Sequence, residues 1–470
     1  MADQRGIPDL ARPVRIHVVG AAGAGMSAIA TVLAAMGHRV TGSDAAGGAA
    51  VQRLKDIGVD VHVGHDPALV EGAEIVAVST AVPDGDPEVQ AARAKGVRVV
   101  RRSEILAAIC RQKRTIGVSG THGKTTTSSM LAVLLRHAGF RPSMVIGGDV
   151  AGVGPGAVWE PDGEWMVVEA DESDGTFLEL GCEAVVVTSV SADHLDHYGT
   201  RQEIDAAFRR YVSEAPGPAV ICADDPGASA LVPHVTPKER VRTYGQSRDA
   251  RVRVSNVSLQ RFGSEFDLHD DGRPRGRFVV AAPGLHNVLN ASGAIAAAVS
   301  IGSGWEAARD GIAAFEGVGR RFELRGESRG VTFVDDYAHN PEKVTAALAA
   351  ARAGRWQRVV AVFQPHRFTR TQALWREFGP ALAGADILVV TDVYGAGEDA
   401  IPGVNGELVA RAVRDTSPSS DIRYVPTLEG AARLLAELLR PGDLCLTMGA
   451  GDVTKLPGLV MGLREGDPDA

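Results

Sequence analysis

The sequence predicts an α/β protein of three domains: a Rossmann-like N-terminal domain, a central P-loop domain with an antiparallel extension, and a Rossmann-like C-terminal α/β domain. Three observations predict it. Short apolar runs of strand length alternate along the chain with longer segments whose apolar residues recur at helical spacing. Two glycine-rich turns, at residues 20–27 and 120–124, each join such a strand to such a helix. The length of 470 residues also sets a prior of about three domains. Boundaries are expected near residues 1–110, 111–320 and 321–470.

Composition is that of an ordinary globular protein, 45% hydrophobic and 23% charged, so a core can form and disorder is expected only at the two ends. The formal charge of −9 argues against a general nucleic-acid or anionic-membrane surface, though it leaves a glycine loop free to bind phosphate. Cys110, Cys182, Cys222 and Cys445 form no CxxC pair, which excludes a zinc knuckle and argues against a disulfide framework; packed core thiols are expected. Residues 1–13 have no apolar h-region and no apolar run is long enough to span a bilayer. A cytoplasmic location without membrane insertion is therefore expected.

In the first domain, Arg15–Val19 reads as a strand entering Gly20-Ala21-Ala22-Gly23-Ala24-Gly25-Met26-Ser27. A helix runs on to about Met36, and a second strand from Arg39 ends at Ser43-Asp44. This is the opening of a Rossmann-type βαβ unit with an acidic residue at the end of its second strand, although Ala22 stands where the middle glycine of GxGxxG belongs. Further strands at 75–78 and 97–100 support a parallel sheet. The loop Ser79-Thr80 leaves a strand at the carboxyl edge, where such sheets bind ligands. Gly23, Gly25, Met26, Ser27, Asp44, Ser79 and Thr80 are the candidate contacts for a nucleotide or nucleotide-sugar diphosphate. A tight turn that holds nothing is the alternative.

The central domain opens with a strand at 115–118, the loop Gly120-Thr121-His122-Gly123 and a helix from Lys124 to His137. Unpaired backbone N–H groups at a helix N-terminus make an anion site. Lys124 adds a cation for the outer phosphates, and Thr125 a hydroxyl for Mg²⁺. The strict P-loop pattern wants a glycine where Val118 stands, so the loop is a GTHGKT variant. The strand Trp165–Glu169 then runs into Asp171-Glu172-Ser173-Asp174. Four carboxylates in six residues cannot all ligate one ion; Glu169, at the strand end, is the expected Mg²⁺ ligand and the others are expected as solvated loop charge. Ala184–Val187 is followed by Asp193-His194-Leu195-Asp196-His197, where His194 is a candidate ligand of a second Mg²⁺ and loop-fixing polar residues are the alternative.

Alternating segments at 251–259 and 265–282 predict an antiparallel hairpin, with Asp-Gly and Arg-Pro-Arg-Gly in the connection. His286 and Asn287 open the following helix, either contacting a base or capping the helix. The last domain repeats apolar strands at 331–334, 359–362, 387–391 and 444–447, predicting another parallel sheet. Polar clusters after these strands place a binding face on one edge: Asp335 to Pro341, Gln364 to Arg370, Asp392 to Glu398 and Met448 to Asp452. Arg367 and Arg370 are spaced to present two forks to a carboxylate or phosphate, or to pair with acidic residues.

Eight motifs in order carry a resemblance to the Mur ligases over nearly the whole chain. They are GAGAGMSAIA from Gly20, GTHGKTTT from Gly120, EADESDGTF from Glu169, DHLDHYG from Asp193, GLHNVLNA from Gly284, RRFE from Arg320, DDYAHNP from Asp335 and FQPHRFTRT from Phe363. The resemblance implies an ATP-dependent ligase that binds UDP-N-acetylmuramate on the first domain and ATP between the second and third. Its lactoyl carboxylate would be phosphorylated by ATP, and L-alanine would attack the acyl phosphate. Carried over by motif, Gly120, Thr121, His122, Gly123, Lys124, Thr125 and Thr126 would hold the triphosphate. Asn287 would contact adenine, Arg321 a phosphate and Asp336 the ribose; Thr125, Glu169 and His194 would serve Mg²⁺. Lys124, His339, Arg367 and Arg370 would surround the reacting groups. A monomer or weakly associating homodimer is expected.

Three departures from the family pattern stand out. Thr188-Ser189-Val190-Ser191 replaces the usual Thr-Asn-x-Glu, Asn340 replaces a frequent second histidine, and no lysine lies between Tyr198 and Glu214. Later-step members carry a carbamylated lysine there, so its absence favours the alanine-adding branch. The rivals are the recycling ligase that attaches a preformed tripeptide to the same sugar nucleotide, a nicotinamide oxidoreductase, and an inactive nucleotide-binding relative.

Overall fold

The computed structural model describes residues 7–191 and 198–466. Three β-sheets organise them. The first holds β1 (Arg15–Val19), β2 (Arg39–Asp44), β3 (Asp60–Val63), β4 (Ile75–Val78) and β5 (Arg98–Arg101) in the order β3-β2-β1-β4-β5. All four pairings are parallel, as a sheet wound with helical crossovers requires. The strand β3, too polar to read from sequence, extends the sheet beyond β2.

The second sheet is built from β6 (Arg114–Ser119), β7 (Ser143–Val145), β8 (Ala157–Val158), β9 (Trp165–Glu169), β10 (Ala184–Val187), β11 (Ala219–Cys222) and β12 (Val241–Gly245). Its extension is β13 (Val252–Leu259), β14 (Ser264–Asp270) and β15 (Arg273–Val280). The order is β15-β14-β13-β12-β11-β10-β6-β9-β7-β8. The strand β6 pairs in parallel with β10 on one side and β9 on the other, so the chain leaves it at a switch point of the kind that opens a ligand crevice. The expected connection is corrected here: Arg273-Pro274-Arg275-Gly276 lies inside β15, and Asp271-Gly272 alone separates it from β14. A proline is tolerated there because β15 is the edge strand, where a missing N–H breaks no ladder.

The third sheet contains β16 (Glu323–Ser328), β17 (Val331–Asp336), β18 (Arg358–Phe363), β19 (Ile387–Val390), β20 (Asp421–Tyr424) and β21 (Asp443–Met448), ordered β16-β17-β21-β18-β19-β20. It is mixed rather than wholly parallel, since β16 runs antiparallel to β17. Alternate residues feed two cores. Phe333, Val360, Val362 and Val389 pack with the helices Leu428–Leu438 and Leu456–Glu465, while Val334, Ala361, Phe363 and Leu388 pack with Pro341–Ala353 and Gly406–Thr416. Burial on both faces is why these strands read as unbroken apolar runs.

Over the described residues the chain forms two compact units, Met1–Ser255 with Asp267–Phe278 and Leu289–Phe315, and Asn256–Phe266 with Val279–Val288 and Glu316–Ala470. All four cysteines are free and buried. Among the described residues, no helix is long and apolar enough to cross a membrane.

Candidate functional site

In the first unit, both glycine turns deliver the chain to a helix that starts on a glycine without a side-chain cap. Gly23 precedes the helix Ala24–Ala35, and Gly123 precedes Lys124–His137. The first N–H groups of such helices have no intrahelical acceptor and point outward, as an anion requires.

Gly120 and Gly123 both have positive φ, 133° and 84°. A Cβ on Gly120 would meet Thr188 Oγ1 and lie 2.8 Å from Ser189 N, and one on Gly123 would strike Asn290 Oδ1. The end of β10 shapes the loop. Thr121 N donates to Ser189 O (3.0 Å), His122 N to Ser189 Oγ (3.0 Å), and Ser191 N to Thr121 Oγ1 (2.9 Å). Ser189, one of the departures from the family pattern, therefore holds the loop in shape. Thr126 is buried at the start of the helix.

Lys124 folds back over its own loop. Its Nζ donates to Gly120 O at 2.9 Å and to Glu172 Oε1 at 2.8 Å, with Asp171 Oδ1 at 3.8 Å. Burial pulls the Lys124 pKa down, but Glu172 and Asp171 overcome it and hold the ammonium above its ordinary value. Glu172 is 3% exposed, and burial pushes its carboxyl pKa up against the pull of Lys124. The expectation that Glu172 is solvated loop charge is thus overturned: it is the buried partner of the lysine. Tyr198 Oη donates to Glu172 O at 2.5 Å and secures that turn. No periodicity marks Glu172 among its acidic neighbours, so only the fold distinguishes it.

Thr125 Oγ1 donates to Glu169 Oε1 at 2.9 Å, while Gly147 N holds Glu169 Oε2 at 2.8 Å. A hydroxyl and a fixed carboxylate oxygen side by side are the hard oxygen donors that Mg²⁺ takes, so these residues fit the ion. His194, the third expected ligand, lies outside the described residues.

On the first sheet, Asp44 Oδ2 accepts from Ala22 N (2.8 Å), bracing the turn at 20–27 from the end of β2. Ser79 packs under Gly20, whose Cβ would lie 2.9 Å from Ser79 Cβ; Thr80 is exposed and Met26 buried. Arg102 was missed from sequence. A Cβ on Gly25 would lie 3.0 Å from its Nη1, and its Nη2 donates to Asp174 Oδ2 at 3.0 Å. This guanidinium ties the first glycine turn to the carboxylate segment after β9.

In the second unit, β17, β21 and β18 are neighbours, and the polar residues after them meet. Asp336 accepts from Phe322 N and Ala338 N, both at 2.8 Å, and burial raises its pKa against the nearby Arg321 guanidinium. Arg321 lies over the Tyr337 ring, 5.3 Å from its centroid. His339 and His366 have ring centroids 6.0 Å apart, and Arg370 Nη1 lies 3.0 Å from His366 Nδ1. Burial lowers the pKa of His339 to about 2 and of His366 to about 4, so both rings are neutral near pH 7. His339 Nδ1 lies 2.8 Å from Tyr337 O, which makes it the donor and leaves Nε2 as an acceptor. Arg367 has φ of 68° and stays half-exposed, with Glu398 Oε1 at 3.9 Å. Asn340 Oδ1 accepts from Lys343 N (3.0 Å), capping the helix Pro341–Ala353. Asn287 Nδ2 donates to Pro283 O (2.8 Å).

Residues 15–114 match the family model described as Mur ligase family, catalytic domain; residues 118–298 match Mur ligase middle domain, and 320–451 match Mur ligase, glutamate ligase domain. The UDP-N-acetylmuramate--L-alanine ligase of Kineococcus radiotolerans is 48% identical, covering 97% of this chain and 98% of that protein. The protein of the same name from Pelobacter propionicus is 43% identical over 93% of this chain and 95% of its own. Among solved structures, the UDP-N-acetylmuramate-alanine ligase of Thermotoga maritima superposes with a TM-score of 0.81 at 27% identity, covering 96% of this chain and 99% of that one. With its three sheets, its phosphate loop and these matches spanning nearly its full length, the chain belongs to the Mur ligase family.

Proposed function

We propose that this chain is an ATP-dependent ligase that joins the lactoyl carboxylate of UDP-N-acetylmuramate to the amino group of L-alanine, a step of peptidoglycan precursor synthesis. One observation carries the reading: a buried, charged Lys124 stands over the glycine loop beside Glu172, in a chain whose full-length relatives share one name. That shared name favours alanine over the tripeptide of the recycling ligase. Family membership leaves no support for a nicotinamide oxidoreductase.

A carboxylate is a poor electrophile. In the first step one of its oxygens attacks the γ-phosphorus of ATP, the bond to the β-phosphate oxygen breaks, and ADP leaves with an acyl phosphate behind. This transfer needs in-line placement and charge neutralisation more than covalent help. The helix start from Gly123 to Thr126 would cradle the phosphates, and Lys124 would balance the charge that grows on the transferring group. Thr125 and Glu169 would hold Mg²⁺, which when bound neutralises phosphate charge. In the second step the alanine nitrogen attacks the acyl carbon, a tetrahedral intermediate forms, and the C–O bond breaks as phosphate departs, the phosphate oxygens taking up the proton that the nitrogen sheds. Arg367 and Arg370 would bind carboxylate or phosphate oxygens. With a pKa near 2, His339 would orient the amine by accepting a hydrogen bond at Nε2 rather than by storing its proton.

In this reading, residues 1–110 carry the sugar nucleotide, 111–320 carry ATP, and 321–470 supply the groups around alanine, with Asn287, Arg321 and Asp336 contacting the nucleotide. Gly23, Gly25, Ser27 and Asp44 serve the sugar diphosphate. A cytoplasmic monomer or weak homodimer would meet these substrates where ATP is made. Phosphate release from ATP, with each co-substrate omitted in turn, tests the proposal. Release should require both UDP-N-acetylmuramate and L-alanine; equal release without the sugar nucleotide, or faster turnover with the tripeptide, would overturn it.

A further inference from the structure

Away from the phosphate loop, the first sheet buries a second set of titratable side chains that the ligase reaction does not use. Glu88, in the first turn of the helix Pro87–Ala94, is fully buried, and Asp86, the cap of that helix, is 6% exposed. Both carboxylates face the imidazole of His65, which follows β3. His65 Nδ1 lies 3.2 Å from Glu88 Oε1 and 3.4 Å from Asp86 Oδ2, and the three atoms all fall within 4.8 Å of one another.

The remaining oxygens of the two carboxylates are already committed. Glu88 Oε2 accepts from Ser43 Oγ (2.6 Å) and lies 2.9 Å from His17 Nε2, whose other ring nitrogen is 2.8 Å from Thr41 Oγ1. Asp86 Oδ1 accepts from Glu88 N and Val89 N. Asp86 is thus anchored through Oδ1 and Glu88 through Oε2, with Asp66 N also donating to Glu88 Oε1 at 3.0 Å; Asp86 Oδ2 and Glu88 Oε1 are held facing the same point, the pattern by which outer-shell groups orient metal ligands. One hydrogen on Nδ1 cannot serve two carboxylate oxygens well, and both separations exceed the roughly 2.7–2.9 Å of a charge-assisted bond. They match instead the ~3.4 Å edge of a tetrahedron drawn with zinc–nitrogen and zinc–oxygen bonds of about 2.1 Å.

We propose that His65 Nδ1, Asp86 Oδ2 and Glu88 Oε1 bind one divalent transition cation of the zinc class, with water completing the shell. One imidazole and two carboxylates suit such an ion better than Mg²⁺, which prefers six oxygens. The His65 side chain is 23% exposed, which gives an ion a way in. The role is structural. Ser43 supplies the carbonyl that accepts from Gly20 N and Ala21 N, so the ion would brace the turn at 20–27 from beneath.

The full chain, free of nucleotide and held in millimolar Mg²⁺ to occupy oxygen-rich sites, is titrated with Co²⁺ and then Zn²⁺. One equivalent of Co²⁺ should bind with the intense visible absorption of a four-coordinate ion and be displaced by Zn²⁺. His65→Ala should lose that equivalent, and so should Asp86→Asn, which keeps a helix-capping side chain. Ser43→Ala should weaken binding about tenfold through the outer shell. His234→Ala, at an exposed histidine, should bind as the parent does. Absence of bound cobalt in the parent chain, or full binding by folded His65→Ala or Asp86→Asn, would overturn the proposal.

Discussion

Lys124 Nζ and Glu172 Oε1 meet at 2.8 Å with the two side chains only 13% and 4% exposed, so the charge at the phosphate loop is matched inside the protein before any substrate arrives. The lysine is thereby held in place and kept charged. Replacing Glu172 by glutamine leaves a buried ammonium short of its partner and should cost about 3 kcal/mol of stability, measured by urea unfolding. Lys124→Ala should lower turnover by about 10²–10³ while leaving sugar-nucleotide affinity near its starting value. The double variant should be less destabilised than the sum of the two, because the pair is one unit.

Gly120→Ala tests the loop itself. At φ of 133°, with Thr188 and the Ser189 backbone in the way, an added methyl must displace the turn. ATP affinity by calorimetry should fall more than tenfold, an effect of about 1.4 kcal/mol or more, while UDP-N-acetylmuramate still binds.

Arg102→Ala should raise the KM for the sugar nucleotide about tenfold, since a hydrogen bond to a charged group contributes roughly 1.5–3 kcal/mol. The KM for ATP should stay put. A uniform loss in both would mean that the arginine only props the fold.

Asn340→Ala removes a helix cap and should lower stability by about 1 kcal/mol, with Asn340→Ser close to neutral and kcat unchanged in both. A large fall in kcat would show that the position retains a chemical role.

The two neutral histidines make a pH prediction. Their folded pKa values, about 2 and about 4, lie below the ordinary value of 6.5. As pH drops through 6.5 the unfolded chain takes up protons that the folded chain refuses, so this stabilisation, complete above 6.5, is lost progressively, down to about pH 4 for His366 and on toward about pH 2 for His339. Thermal melts across that window should show a declining midpoint, and His366→Asn should flatten the decline.

Much of this was legible in the residues alone. The strands at 165–169, 184–187 and 75–78 and the helix from Lys124 appear where their apolar patterns put them, because both faces of those strands are buried. Polar or edge elements escaped notice: β3 is Asp-Val-His-Val, and β16 holds only one buried residue. The roles of Glu172 and Arg102 were hidden for a different reason. Their partners Lys124 and Asp174 lie 48 and 72 residues away, and neither spacing leaves a local pattern. Ser189 departs from the family's Thr-Asn-x-Glu pattern, yet its short hydroxyl accepts from His122 N and fits between β10 and the loop.

The edge strand β15 carries Arg273, Pro274 and Arg275 where the ten-stranded sheet stops. An incoming segment seeking to continue that ladder would find a missing N–H and a row of guanidiniums that repel their own kind. At the opposite border, β8 offers only two residues. A sheet this wide is a hazard in a crowded cell, and here its margins are built to refuse a neighbour.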